Sequence, residues 1–196
     1  MNSDILEHFK QSAETSLRAG HLLSADIARC ASKLIEILEA GGKILICGNG
    51  GSAADAMHFS AELVVRFEHN RRGLAAIALS SDTATITATS NDFSFDQVFA
   101  RQIEALGRAG DHLIVMTTSG NSSNLIAAVE TAKRLGNISV TALTGRDGGT
   151  LASLLTEQDI ELRVPSENTA RIQEAHAIII HILCGLVEGH FCVKTT

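Results

Sequence analysis

A chain of 196 residues with 45% hydrophobic and 19% charged residues is long enough for one well-buried domain, short for two, and too apolar for disorder. Its formal net charge of -6 excludes the basic surface that nucleic-acid binding relies on, and no apolar run reaches the roughly 18 to 20 residues of a membrane span, since the longest, Ala175 to Val187, is interrupted by His176 and His181. The stretch from Met1 to His8 has neither the basic start nor the apolar run of a secretion signal, so a cytoplasmic protein is expected, with Cys30, Cys47, Cys184 and Cys192 as reduced core or near-surface thiols.

From Asp4 to Ala40, apolar residues recur at helical spacing: Ile5, Leu6, Phe9 and Leu17, then Leu22, Leu23, Ile27, Cys30, Leu34, Ile35 and Leu38. Ser24 as an N-cap and Gly41 as a stop divide this stretch into two helices, which precede any strand and offer a surface for a partner subunit. Lys43 to Cys47 is a short apolar run after Gly41-Gly42 and reads as a buried parallel strand. It breaks on Gly48-Asn49-Gly50-Gly51 and restarts as a helix near Ser52 or Ala53, running to about Glu68. Arg71-Arg72-Gly73 turns the chain into a second strand, Leu74 to Leu79. Ser81 or Asp82 caps a helix through Thr85 to Ser90, Asn91-Asp92 forms a turn, and Phe95 to Leu106 is helical.

Asp111 to Met116 is the third strand and opens onto the polar loop Thr117 to Asn124, followed by a helix from Leu125 to Leu135. Strand Ile138 to Leu143 and loop Thr144 to Thr150 repeat the pattern. Strand Ile160 to Val164 ends at Pro165, and Ser166 or Asn168 caps a last helix from Thr169 to about His190. Strands alternating with helices give an α/β fold, a three-layer doubly wound sheet of about five parallel strands with its site beyond their carboxyl ends.

Two loops carry the chemistry. The glycines after the first strand permit close approach of a ligand, and the helix that follows offers unpaired N–H groups at its positive end. The loop from Thr117 to Asn124 adds hydroxyls at another helix start, so the pair suits a phosphate monoester. Gly48 to Ala53 also fits the dinucleotide pattern G-x-G-x-x-A, but Ser80 and Ser81 stand where ribose recognition needs an acid, and no Lys follows the glycines as in a nucleotide P-loop. His58 and Glu62 lie four apart on one helix face. That spacing alone reads as a surface ion pair, but its place just inside an anion-binding helix favours function. In the last helix Arg171, Gln173, Glu174, His176 and His181 are polar groups among Ile, Leu, Ala and Val and must be paired or functional. The cluster Arg66, Arg71, Arg72 is as consistent with a solvated helix end as with binding.

These stretches together resemble the phosphoheptose isomerases of the sugar isomerase (SIS) family. The resemblance covers nearly the whole chain and rests on Cys47 to Ala56, His58 to Glu62, Asn91 to Phe93, Thr118 to Ser122, Leu143 to Gly149 and Ala170 to His176. It implies a single SIS domain over residues 1–196, with the helical pair of residues 1–40 used in oligomer contacts. The implied activity is conversion of D-sedoheptulose 7-phosphate to D-glycero-D-manno-heptose 7-phosphate through an enediolate, for ADP-heptose and lipopolysaccharide core synthesis. Asn49, Gly50, Gly51, Ser52, Glu62, Asn91, Asp92, Thr117, Thr118, Ser119, Ser122 and Gln173 would contact the sugar phosphate. His58, Glu62, Gln173 and His181 would hold one zinc ion per subunit, with Glu62 and His181 the acid and base pair. The family is typically a cytoplasmic homotetramer with sites at subunit contacts. Thr117 stands where some members have serine, and Ala170 where some have aspartate.

The alternative is a noncatalytic SIS module that binds a phosphosugar or the replication initiator protein. Such relatives lack counterparts of Glu62 and His181, and both are present in this chain. A phosphosugar-sensing regulator would carry a DNA-binding domain, for which the chain has no room. Gln173 and His181, eight residues apart, are separated by roughly 12 Å along a helix and about 80° around it. The expectation is a site completed across a subunit interface, or these two groups at its far edges.

Overall fold

Short apolar runs covered on both faces make a buried parallel sheet, and the side chains of each strand divide alternately between two cores. In the computed structural model, which describes residues 2–192, strands β1 (Ile44–Gly48), β2 (Ala76–Ala78), β3 (His112–Met116), β4 (Ser139–Thr144) and β5 (Ile160–Arg163) form one parallel sheet in the order β2-β1-β3-β4-β5. Ile44, Ile46, Ile114, Met116, Leu143 and Leu162 face one core. Leu45, Cys47, Leu113, Val115, Val140 and Ala142 face the other. Helices α1 (Asn2–Glu39), α2 (Gly51–Val64) and α7 (Thr169–Phe191) cover the first face, and α3 (Thr83–Asp92), α4 (Ala100–Leu106), α5 (Ser123–Leu135) and α6 (Gly149–Leu154) lie on the second. The three-layer doubly wound architecture is therefore as expected. The chain leaves β1 toward β2 on one side and β3 toward β4 on the other, which makes the gap between β1 and β3 the topological switch point, where ligands bind in such sheets.

The expected amino-terminal helical pair is instead one helix. Residues 2–39 are continuous α1, 38 residues or about 57 Å at 1.5 Å per residue. Ser24, expected as an N-cap, sits inside the helix and donates its hydroxyl to the carbonyl of Gly20, so neither residue breaks it. Only from Ala19 onward does α1 bury a stripe, through Leu23, Ile27, Cys30, Leu34 and Leu38. Its amino-terminal half keeps Ile5, Leu6, Phe9, Leu17 and Leu22 more than half exposed. Arg171 at the start of α7 donates to the carbonyl of His8 at 2.6 Å, and His190 pairs with Glu39 at 2.7 Å, which ties α1 to α7 at both ends.

Other boundaries move less. Asn91 and Asp92 close α3 rather than forming a turn, Phe95 to Leu106 splits into a 3-10 turn (Phe95–Gln97) and α4, and α2 ends at Val64, short of Glu68. The helix α6 was not expected. α7 is long and apolar enough to cross a membrane by composition, but half of that window is buried against the rest of the domain. Cys30, Cys47 and Cys184 are buried free thiols and Cys192 is half-buried, as expected.

Candidate active site

Both loops beside the switch point lead into helices whose amino ends lack a side-chain cap. Gly50 precedes α2 with φ 57°, a left-handed value that glycine adopts readily, and Ser122 precedes α5; neither position supplies a capping hydrogen bond from its side chain. In contrast, Asp82 caps α3 and Asn168 caps α7. The two uncapped ends are held side by side by a reciprocal amide pair. Asn49 Nδ2 donates to Asn124 Oδ1 at 2.8 Å, and Asn124 Nδ2 donates to Asn49 Oδ1 at 2.9 Å. The side chain of Asn49 is thus committed to joining the loops, and Asn124 is a partner that sequence reasoning did not single out.

Among the described residues, the hydroxyls of Ser52, Thr118 and Ser122 have no hydrogen-bond partner within the chain. Thr117 differs. It is buried, and its Oγ1 accepts from the Gly120 amide at 3.1 Å, so that hydroxyl shapes the loop from inside. Ser119 Oγ accepts from the Asn121 amide at 3.3 Å. The third loop braces the second: Asn121 Oδ1 accepts from Thr150 N at 2.9 Å and Thr150 Oγ1 at 3.0 Å. A Cβ on Gly120 would run into the Gly148 carbonyl. Asn91 and Asp92 are exposed, with Asn91 Nδ2 donating to Asp92 Oδ1 at 2.8 Å, and no hydrogen bond joins them to either loop. Uncapped N–H groups, free hydroxyls and two aligned helix dipoles make a cradle for a dianionic phosphate that needs no lysine or arginine.

Next to the cradle, α2 packs on α7, both following strands and running the same way. Gln173 lies over Gly51, where a Cβ would come within 2.8 Å of Gln173 Nε2. Two turns deeper, His58 Nε2 faces His181 Nε2 at 3.0 Å, with the rings crossed at 84°. Glu62 Oε1 lies 3.7 Å from His58 Nδ1. The structure therefore brings together His58, Glu62 and His181, and sets Gln173 apart at the mouth, as its eight-residue spacing from His181 implied. Among the described residues no three His, Cys, Asp or Glu side chains converge as a metal site. Of the four expected ligands, Gln173 is thus the one that stands away from the other three.

Asp55, one turn before His58, is held above its ordinary value by burial, opposed by the nearby imidazole. His176 Nε2 meets the Thr144 carbonyl at 3.0 Å, and burial lowers that histidine to about 4. It is a neutral core group that ties α7 to the third loop. Arg71 is no part of a basic patch either: Nη2 donates to the Glu62 carbonyl at 2.6 Å and Nη1 to the Leu63 carbonyl at 2.8 Å, closing the carboxyl end of α2.

A parallel α/β sheet with a phosphate cradle at its switch point and an imidazole pair on the adjoining seam matches a known class, the SIS domain, whose family matches residues 7–145. The phosphoheptose isomerase of Alkalilimnicola ehrlichii is 50% identical over 186 residues, covering 95% of this chain and 94% of that protein. The structure of the phosphoheptose isomerase from Neisseria gonorrhoeae superposes with a TM-score of 0.90 at 45% identity over 96% of this chain and 98% of the other. That from Francisella tularensis gives 0.92 at 45% identity over 95% and 97%. The chain belongs to the phosphoheptose isomerase family of SIS-domain proteins.

Proposed function

We propose that the protein isomerises D-sedoheptulose 7-phosphate to D-glycero-D-manno-heptose 7-phosphate in the cytoplasm, supplying the precursor of ADP-heptose for the lipopolysaccharide core. The observation that carries this reading is the juxtaposition of two uncapped helix ends, joined through Asn49 and Asn124, with the seam of His58, Glu62 and His181. One part takes the phosphate, and the other offers an acid and a base to the far end of the sugar.

The amides at Gly50, Gly51 and Ser52 and the hydroxyls of Ser52, Thr118, Ser119 and Ser122 bind the phosphate. Thr117 supports them from within the loop, and Asn91 and Asp92 contact the sugar from the end of α3. Glu62 removes the proton from C1 and returns one at C2, while His181 shuttles a proton between the two oxygens of the enediolate.

Imidazole nitrogens and carboxylate or amide oxygens are zinc donors, and two ring nitrogens at 3.0 Å stand close to the about 3.3 Å edge of a tetrahedral zinc site. His58 and His181 would hold such an ion, with Glu62 and Gln173 as its further donors. Zinc bound there would polarise the carbonyl and stabilise the enediolate charge. The exposed Ile5, Leu6, Phe9, Leu17 and Leu22 of α1, with Ile178, Ile182 and Leu186 of α7, support self-association, as the proposed homotetramer requires, because apolar faces of this extent mark surfaces that a partner covers. Glu62 and His181 disfavour the noncatalytic module.

The test is turnover of sedoheptulose 7-phosphate by the purified protein, followed by NMR, with zinc supplied or chelated. The aldose 7-phosphate should accumulate to equilibrium, inorganic phosphate should compete, and chelation should slow turnover. No conversion under either condition, or equal conversion of unphosphorylated sedoheptulose, refutes the proposal.

A further inference from the structure

Glu188 is a carboxylate that no step of the isomerisation uses, yet it is only 2% exposed and collects an unusual set of donors. Its Oε1 accepts from the Phe67 amide at 2.9 Å, and its Oε2 accepts from the Glu68 amide at 2.7 Å and the His69 amide at 2.8 Å. Three successive backbone N–H groups folded around one carboxylate form the kind of nest that otherwise binds an anion. Arg71 Nε lies 3.6 Å from Glu188 Oε1, with both side chains almost wholly buried. Burying a carboxylate costs several kcal/mol unless its hydrogen bonds are made, and this one serves to hold a segment without regular structure against α7.

The segment held in this way carries Phe67. Its ring stacks on the imidazole of His181, with centroids 5.8 Å apart and planes 23° from parallel. Between them on α7 lies Gly185, where a Cβ would touch Phe67 Cε1 at 3.8 Å. His181, Gly185 and Glu188 share one face of the helix, at i, i+4 and i+7. Glu188 thus grips the backbone of the segment two turns below the imidazole, and the aromatic ring reaches back over Gly185 to cover it. His181 is otherwise exposed, and the second side-chain torsion of a histidine is soft, so an open imidazole samples many planes. The Phe67 stack on its face and the crossed ring of His58 at its Nε2 edge, centroids 5.2 Å apart, hold it to one.

We propose that Phe67, clamped by Glu188, is a positioning residue that fixes the imidazole plane of His181 so that its Nε2 faces His58. The inference rests on the proposed role of His181 for its effect on turnover, but not for its effect on the ring itself. Loss of the aromatic face, or of the clamp that places it, frees the imidazole. Since small misplacements of a catalytic group cost large factors in rate, kcat falls while substrate binding at the phosphate loops persists.

The experiment compares wild type with Phe67→Leu, Phe67→Tyr, Glu188→Gln and Gly185→Leu in the full-length protein. Histidine ring 1H–13C spectra are recorded, with His181→Gln used to assign the His181 lines. In wild type those lines lie upfield through the ring current of Phe67. They should return toward free-imidazole positions in Phe67→Leu and Glu188→Gln and stay upfield in Phe67→Tyr. Phe67→Leu and Glu188→Gln should lower kcat at least about tenfold with KM within about twofold, and Phe67→Tyr should restore it. If either variant fails to fold, Gly185→Leu displaces the ring from an exposed helix position and should give the same spectral and kinetic change. Unshifted His181 lines in wild type, or lines and kcat unmoved by Phe67→Leu and Gly185→Leu, overturn the proposal. If wild type does not turn over the substrate while the lines move as expected, the isomerase reading fails and the positioning stands.

Discussion

His112 opens β3 at the end of the sheet away from the loops, 1% exposed, with Nδ1 2.7 Å from Ser139 Oγ and Nε2 2.9 Å from Thr141 Oγ1. Burial, reinforced by the charge of Lys33 and opposed by that of Asp159, pulls it from 6.5 down to about 3. The unfolded chain therefore binds a proton at this site across the interval from 6.5 to about 3 that the folded chain refuses, so stability is full above 6.5 and is lost as pH falls. At about 1.4 kcal/mol per unit the whole interval corresponds to about 5 kcal/mol. His176, lowered to about 4 by burial, acts in the same direction. Between about pH 6 and 5 most carboxylates remain ionised in both states, and each of the two histidines removes about 1 kcal/mol. Urea unfolding at fixed protein concentration should thus show a loss of about 2 kcal/mol over that unit, and His112→Gln should show about half that loss. The variant is less stable at neutral pH, so the slope is the quantity to compare. A slope unchanged by His112→Gln would refute the reasoning.

Two substitutions probe the site directly. Asn124→Ala removes both hydrogen bonds that tie the two loops together, and should raise KM for the sugar phosphate about tenfold with a smaller effect on kcat in steady-state kinetics. In Gly51→Ala the new methyl meets the end of the Gln173 side chain at 2.8 Å. A flexible terminus yields cheaply, so thermal stability should change little while the amide swings off the cradle; with Gln173 as the proposed zinc ligand, zinc affinity read by metal titration should weaken.

The strands were legible because each is an apolar run between turn residues and buried on both faces, and the two loops because glycine or hydroxyls followed each run directly into a helix. α1 differs from the expected pair because Ser24 is a break signal only when the residues around it need an end; here Ser24 turns its hydroxyl onto its own helix. α6 went unseen because Gly148 and Gly149, with φ of 82° and 55°, read as loop although they start a helix. His58 and Glu62 stood out by their place one turn inside the anion-binding helix, since their spacing alone reads as a surface ion pair. Asn124, Phe67 and Glu188 did not, because their significance lies in contacts that only the folded state makes, 75 residues apart along the chain for Asn49 with Asn124 and 121 for Phe67 with Glu188. Gln173 was found by pattern, but its place over Gly51 follows from two helices running in parallel.

The most direct test of the isomerase account is conversion of sedoheptulose 7-phosphate in deuterated water by wild type and by Glu62→Gln. The account predicts aldose product carrying deuterium at C2 from wild type and no detectable product from a folded Glu62→Gln variant. Undiminished turnover by the folded variant would contradict proton transfer through Glu62.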